Sequence, residues 1–332
     1  MKAILMNQPG GAETLRYVDV PDPELNGANL LRVRLHAAGV NPVDTKLRKG
    51  GTYFPDTLPT ILGCDGAGVV EAVGAAVTRF KPGDAVYFCH GGIGGNSGNY
   101  AEFTVIPEDY AAAKPKNLSF AQAAAVPLVL ITAWEALFDR AGLQSGQTVL
   151  IHAAAGGVGH VAVQLAKHVG AHVAATVGSA EKGQLAQRLG AEKIIDYTRE
   201  DFVQTALDWT GGTGVDVVFD TVGSATFCRS FAAAKVYGKI VTLLQSDCPP
   251  ADIKLARTRN QSIHFELMLT PMLLEMGDAR IAQRKILETG ANMIENGQLE
   301  ILVSHILPLE QAAQAHRLIE TGHTTGKIVL TP

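Results

Sequence analysis

Cysteine is scarce and scattered in this chain of 332 residues: Cys64, Cys89, Cys228 and Cys248 stand far apart, with no C-x-x-C pair. That spacing offers neither a disulfide framework nor a structural zinc ribbon, and a reducing, cytoplasmic setting is the expectation. A basic surplus is also missing, because 28 Lys and Arg face 32 Asp and Glu for a net charge of −4. The balance disfavours nucleic acid as a partner. No apolar run approaches the ~18 residues of a membrane span, since Ala123 to Ile131 is short and holds Pro127. The N-terminus turns at Pro9-Gly10-Gly11, too early for the apolar region of a signal peptide. Disorder is excluded by 47% hydrophobic residues, and collagen by the lack of a period among the 35 glycines.

At roughly 150 residues per domain the length suggests two domains, and three textures follow one another along the chain. Up to about Leu118 the pattern is strand-like, with Leu31, Val33 and Leu35 alternating with Arg32, Arg34 and His36. Short Val/Ala/Gly runs at 63–77 and 84–88, separated by the turn cluster Lys81-Pro82-Gly83-Asp84, predict a β-rich barrel or sandwich. From about Ser119 to Leu269, strands alternate with helices. The continuous apolar run Thr148 to Ala153 is that of a strand covered on both faces, and more strands are expected at 172–177, 193–196, 215–220, 239–244 and 262–268. This alternation predicts an α/β, doubly wound parallel sheet. The last ~60 residues are mixed: a helix at 279–296, a strand at 302–307, a helix at 309–320 and a strand at 326–330. Both chain ends together form one discontinuous domain, 1–122 with 270–332, around a second at 123–269.

The most informative segment is Ala153-Ala154-Ala155-Gly156-Gly157-Val158-Gly159, which follows a buried strand and opens a helix. With Ala154 at the usual first glycine it reads A-x-G-x-x-G, a dinucleotide fingerprint in its proper context. Gly156 admits backbone to a pyrophosphate, Gly159 lets helix and strand pack closely, and the helix N-terminus supplies N–H donors. About 20 residues on, an NAD site wants an acid at the strand end. The chain instead reads Gly178-Ser179-Ala180-Glu181-Lys182, where Ser179 can donate to a phosphate and Lys182 can neutralise one. This favours NADPH over NADH. The plain alternative is that Ser179 caps a helix and Lys182 is solvated.

With those residues in hand, the chain resembles the medium-chain dehydrogenase/reductase superfamily, in its zinc-independent quinone oxidoreductase, zeta-crystallin-like branch. The segments that carry the resemblance are Gly39-Val40-Asn41-Pro42-Val43-Asp44, Gly63 to Val70, His152 to Gly159, Ile195-Asp196-Tyr197 and Val217 to Gly223. The resemblance implies a GroES-like catalytic domain built from both chain ends, and a Rossmann domain between them with NADPH bound in the cleft. It assigns Ser179, Lys182 and Tyr197 to the adenosine 2′-phosphate and ribose, with Gly178 beside them. Thr132 falls near the cofactor, Asn41 beside the nicotinamide or substrate, and Tyr53 at the substrate mouth. Two departures stand out: Leu130 where the family often has Gly, and a tail in which only Lys327, or no residue, can replace an arginine at the cofactor phosphate.

The zinc-dependent alcohol dehydrogenases of the superfamily carry a Cys and a His-Glu pair where this chain has Asn41 to Asp44 and Cys64-Asp65, plus a four-cysteine lobe after Phe88. Here Phe88 to Gly98 is a glycine-rich loop, expected as a flexible rim. Cys64, Asp65, Cys89 and His90 can bind metal, yet a buried Cys64 packing as a small hydrophobe is the better reading, so no metal is expected. His36 reads as a surface residue and His152 as a structural one. The expected activity is NADPH-dependent hydride transfer to a small-molecule quinone or α,β-unsaturated carbonyl, with Asn41 and Tyr53 steadying the developing oxyanion. The alternatives are a zinc-dependent alcohol dehydrogenase and a non-catalytic NADPH-binding protein. Residues 262–268 should form the edge strand of the parallel sheet, and pairing with a copy would make a homodimer.

Overall fold

The alternation at Leu31, Val33 and Leu35 belongs to a long strand, β1 (Leu30–Val40), whose apolar phase is sealed while Arg34 and His36 face outward. In the computed structural model, which describes residues 1–332 with the exception of the Pro55 side chain, two compact units are resolved. One comprises Met1–Val129 with Leu269–Pro332, the other Leu130–Met268. The division falls at 129/130 rather than 122/123. Ala123 and Ala124 are sealed within the first unit, and a Cβ at Gly39 of β1 would lie 2.4 Å from the Ala124 carbonyl oxygen.

In the first unit, β1 leads into helix α1 (Pro42–Gly50) and pairs antiparallel with β2 (Asp65–Val73), which pairs with β3 (Ala85–Cys89). A further strand, β4 (Phe103–Pro107), pairs with the opening half of β1. Leu31, Val33, Leu35, Val70, Val86, Phe88 and Ile106 form the core under these strands. Fully burying such side chains contributes about 1.5–3 kcal/mol each, which is why the period-two pattern decides the register.

The second unit is a six-stranded parallel sheet. Along the chain come β5 (Thr148–Ile151), α2 (Gly159–His168), β6 (His172–Val177), α3 (Ala180–Arg188), β7 (Lys193–Asp196), β8 (Val215–Asp220), α4 (Ser224–Ala233), β9 (Ala234–Thr242) and β10 (Ser262–Phe265). Their spatial order is β7-β6-β5-β8-β9-β10. The order reverses between β5 and β8, the topological switch point outside which open α/β sheets bind ligands at the carboxyl ends of their strands. The β9 strand starts earlier than expected, at Ala234, and accommodates Tyr237 in a left-handed conformation, φ 61°. Strand β10 is shorter than 262–268, ending at Phe265, and it is the sheet edge.

Returning to the first unit, the chain forms α5 (Gly277–Glu295), β11 (Val303–Pro308) and β12 (Lys327–Thr331). Strand β12 pairs antiparallel with β1 through Ile328 opposite Val40, placing the chain's tail beside the start of α1. No helix among the described residues is long and apolar enough to cross a membrane.

One expectation is overturned in the second unit: Cys228 and Cys248 form a disulfide, with Cα atoms 5.4 Å apart. The sequence spacing concealed it because helix α4 and the coil after β9 bring the two thiols together only once the sheet is built. Cys64 and Cys89 remain free and buried.

Candidate functional site

Strands β5, β6 and β7 are neighbours in register, with Ile151 opposite Ala175 and Val177 opposite Asp196, so the turns after them line up along the sheet's carboxyl edge. After β5, the left-handed residue is Ala153 (φ 49°), one position before the expected first glycine. The turn is pinned by Ala154 N–H donating to the Thr176 carbonyl at 3.1 Å and Gly156 N–H donating to the Ala153 carbonyl at 2.8 Å. Gly156, Gly157 and Val158 are its partly exposed residues. At Gly159 a Cβ would sit 2.3 Å from the Ala153 oxygen and 2.8 Å from Ala154 Cα, so close helix–turn packing requires glycine there. Helix α2 opens at Val158 with no side-chain cap, and of its first-turn donors His160 N–H is taken by the Gly156 carbonyl at 3.1 Å.

The turns after β6 and β7 meet. A Cβ on Gly178 would fall 2.5 Å from the Tyr197 hydroxyl and 2.9 Å from its Cζ, so the tyrosine lies over bare backbone. Tyr197 is 56% exposed. Ser179 caps α3, its Oγ accepting the Lys182 N–H at 3.3 Å, and Glu181 faces solvent in the first turn. Thus Gly178, Ser179, Lys182 and Tyr197 form one cluster with no carboxylate at the strand end. His152 is structural, as expected. Its Nδ1 is 3.1 Å from Thr176 Oγ1, its Nε2 3.0 Å from Ser230 Oγ, and burial pushes its pKa down to about 4. Sequence reasoning missed Asp220, whose buried carboxylate accepts from Val222 and Gly223 N–H and from Thr242 Oγ1, fixing the turn after β8. Thr132 is buried in the helix Pro127–Trp134.

In the first unit the register of β12, β1 and β2 gathers a buried polar network. Asn41 is the N-cap of α1, and its Nδ2 donates to Asp65 Oδ2 at 2.9 Å. Lys327 Nζ donates to Asn41 Oδ1 and to the Val40 carbonyl (3.1 Å), and lies 3.3 Å from Asp65 Oδ2. Leu128 N–H supplies the other Asp65 oxygen at 2.8 Å. This bears on Lys327 and on Asn41. Lys327 does not reach for a phosphate, because its ammonium is 3% exposed and held by an internal carboxylate. Asn41 is not a free amide; one of its two N–H donors and its carbonyl are committed.

Asp44 completes the capping box, accepting Asn41 N–H at 2.8 Å and the Tyr100 hydroxyl at 2.8 Å, while its Oδ1 is buried without a hydrogen-bond partner. Burial pushes its pKa up to about 7 against the pull of those two donors. Asp44 and Tyr100 were missed as members of this cluster. The N-x-x-D spacing of a capping box could have revealed Asp44, while nothing local points to Tyr100. Tyr53 is 44% exposed, and burial of its ring raises its pKa.

The metal-capable residues are spoken for. A hydrogen bond that the Cys64 thiol donates to Cys89, then burial, raises the Cys64 pKa well above that of a free thiol. His90 Nδ1 faces Arg280 at 3.3 Å. Among the described residues no three His, Cys, Asp or Glu stand together as metal ligands would. The glycine-rich loop is packed at its base and exposed at its tip: residues 91–94 are buried, 95–97 are exposed, and Asn99 Nδ2 lies 2.9–3.1 Å from the carbonyls of Gly63, Cys64 and His90.

The chain matches two family models, the alcohol dehydrogenase GroES-like domain over residues 27–116 and zinc-binding dehydrogenase over residues 189–330. It is 36% identical over 323 residues to a quinone oxidoreductase of Pseudomonas aeruginosa, covering 97% of both chains. It is also 36% identical over 341 residues to the NADPH-dependent alkenal/one oxidoreductase of Arabidopsis thaliana chloroplasts, covering all of this chain and 80% of that one. A solved structure described as an NAD-dependent alcohol dehydrogenase superposes with a TM-score of 0.90 at 37% identity, each chain covered in full.

Proposed function

Since the chain belongs to the medium-chain dehydrogenase/reductase superfamily, in its quinone oxidoreductase branch, we propose that it reduces quinones or other α,β-unsaturated carbonyls with NADPH and without a metal. One observation carries the choice of NADPH: the β6 strand ends in Gly178 and Ser179, with Tyr197 laid over Gly178 and no carboxylate to take a ribose 2′-hydroxyl. The turn after β5 fits a dinucleotide, because its partly exposed backbone and uncapped helix N-terminus make a cradle that side chains would fill.

Gly156 to Gly159 would hold the pyrophosphate; Ser179, Lys182 and Tyr197 would hold the 2′-phosphate and ribose, with Thr132 near the nicotinamide. When bound, that group supplies hydride to an electrophilic carbon of the acceptor. The protein's part is to orient and to stabilise the oxyanion that develops. Asn41 has its second N–H for this, aimed by the bonds that fix the rest of its amide. Tyr53, its pKa raised, keeps its proton through the neutral range and can donate a hydrogen bond. Metal-free chemistry is supported by the donor set: Asp65 is tied to Lys327, and the Cys64 thiol holds its proton. The same reading includes a homodimer through β10, where Ile263 is 38% and Phe265 63% exposed.

The test is NADPH oxidation with a panel of quinones, enones and simple alcohols, alongside NADH. Turnover of the first two with a clear NADPH preference is expected. Activity confined to alcohols, or about one tightly bound zinc per chain by elemental analysis, overturns the reading.

A further inference from the structure

Buried cations in this protein have carboxylate partners, with one exception. Arg48 pairs with Glu320 at 2.6 Å and Lys327 with Asp65 at 3.3 Å. Arg280, 5% exposed in the first turn of α5, has no ion pair among the described residues. Its Nη2 makes both of its hydrogen bonds, to the Cys89 carbonyl (2.7 Å) and His90 Nδ1 (3.3 Å), and its guanidinium lies 4.4 Å from the centre of the Tyr110 ring. Arg280 lines a cavity of about 500 Å³ together with Phe103, Pro271 and Met272 and with the polar Asn96, Ser97 and Glu275.

Two costs converge on this side chain. Burial disfavours a cation with no counter-charge. The first turn of a helix is also the positive end of its dipole, where a cation is unfavourable, and α5 opens at Met276 without a side-chain cap. Two acids are near in sequence: Asp278 is exposed, and Glu275 is exposed where it joins the cavity lining. His90, its pKa pushed down to about 3 by burial and by Arg280, is neutral and accepts from the guanidinium without balancing its charge. An anion in the cavity would relieve both costs at once. The volume lies in the range of small-molecule sites, and such sites pair mostly apolar walls with a few fixed polar groups.

We propose that this cavity is a second ligand site, taking a small amphipathic carboxylate with its head on Arg280 and its apolar body against Phe103, Pro271 and Met272. The carboxylate accepts from an Arg280 N–H that the Cys89 and His90 bonds leave unused, a charge-assisted hydrogen bond. The proposal stands independently of the cofactor and substrate reading.

The probe is octanoate, titrated calorimetrically into the full-length protein with and without saturating NADPH, and 1-octanol is the neutral control. Saturable one-to-one binding is expected, at least tenfold tighter for octanoate than for octanol and unchanged by NADPH. Arg280→Gln should weaken octanoate at least tenfold. Met272→Trp, which plugs the cavity and leaves Arg280 in place, should abolish binding and carries the test if the arginine variant does not fold. Equal affinity for the acid and the alcohol, full binding by a folded Arg280→Gln or Met272→Trp protein, displacement by NADPH, or no saturable binding would each overturn the proposal.

Discussion

Reducing the Cys228–Cys248 bond is the perturbation whose size follows most directly from this fold. The bond joins helix α4 to the coil at 243–249 and closes a loop with a sequence separation of 20. Removing that constraint from the unfolded chain costs about 3 kcal/mol on the chain-entropy model. At roughly 2–4 °C per kcal/mol for a domain of this size, the melting temperature should fall by roughly 6–12 °C. The native cost is local, because the coil keeps other ties: Leu243 N–H to the Asp220 carbonyl (3.1 Å) and Ser224 N–H to Ser246 Oγ (2.7 Å). The double variant Cys228→Ser/Cys248→Ser should therefore fold, melt like the reduced protein and ignore dithiothreitol. Thiol titration in non-reducing denaturant should find two free thiols, Cys64 and Cys89, and four after reduction. Four thiols before reduction, or identical melts with and without reductant, would refute the argument.

Gly178→Ala should push Tyr197 aside and, on the proposed function, weaken NADPH binding at least tenfold (about 1.4 kcal/mol) while moving the melting temperature little, as titration against intrinsic fluorescence and a thermal melt would show. Asp44, with its folded pKa raised to about 7 from the ordinary 3.8, keeps its proton where the unfolded chain has lost it. Its contribution to stability thus falls as pH rises between those values and is level outside them. Asp44→Asn should remove that slope, so urea unfolding of variant and parent at several pH values should give a difference that changes from about pH 4 to 7; a constant difference counts against the shift. Phe265→Lys at the exposed edge strand should turn the proposed dimer into a monomer by light scattering, and a parent already monomeric at working concentration removes the dimer from the proposal.

The parallel sheet was legible almost residue for residue, because buried parallel strands are unbroken apolar runs closed by turns. The expected limits at 172–177, 193–196 and 215–220 coincide with β6, β7 and β8. The glycine turn after β5 was legible as a turn for the same local reason: a strand, glycines and a helix in fixed order. Misreadings arose where local pattern and tertiary constraint diverge. The first half of β9 contains Tyr237 in a left-handed conformation that sequence does not advertise. β4, Phe-Thr-Val-Ile-Pro, is a short strand that earns its place by pairing with β1 rather than by its own alternation. The Cys228–Cys248 pair and the Arg280 cavity unite residues from separate segments, a proximity that spacing cannot express.

Asn41 shows how far this reaches into chemistry. As a sequence feature it is one amide in a recognisable motif, and the natural inference is a lone donor facing substrate. In the fold its partners come from positions 44, 65 and 327, joined only through the antiparallel register of β12, β1 and β2. Lys327 can only donate, and Asp65 Oδ2 accepts from both Lys327 and Asn41, so the Lys327 bond decides which end of the amide is oxygen and which is nitrogen. On the proposed function, the remaining N–H is then fixed in direction before any substrate arrives, as oxyanion stabilisation would require of a donor. The same bonds mean that Asn41→Ala removes more than that donor: Lys327 loses an acceptor and Asp65 loses a donor. A fall in activity in that variant therefore measures the network, and the share that belongs to the free N–H emerges only against variants of Lys327 and Asp65 in the same background.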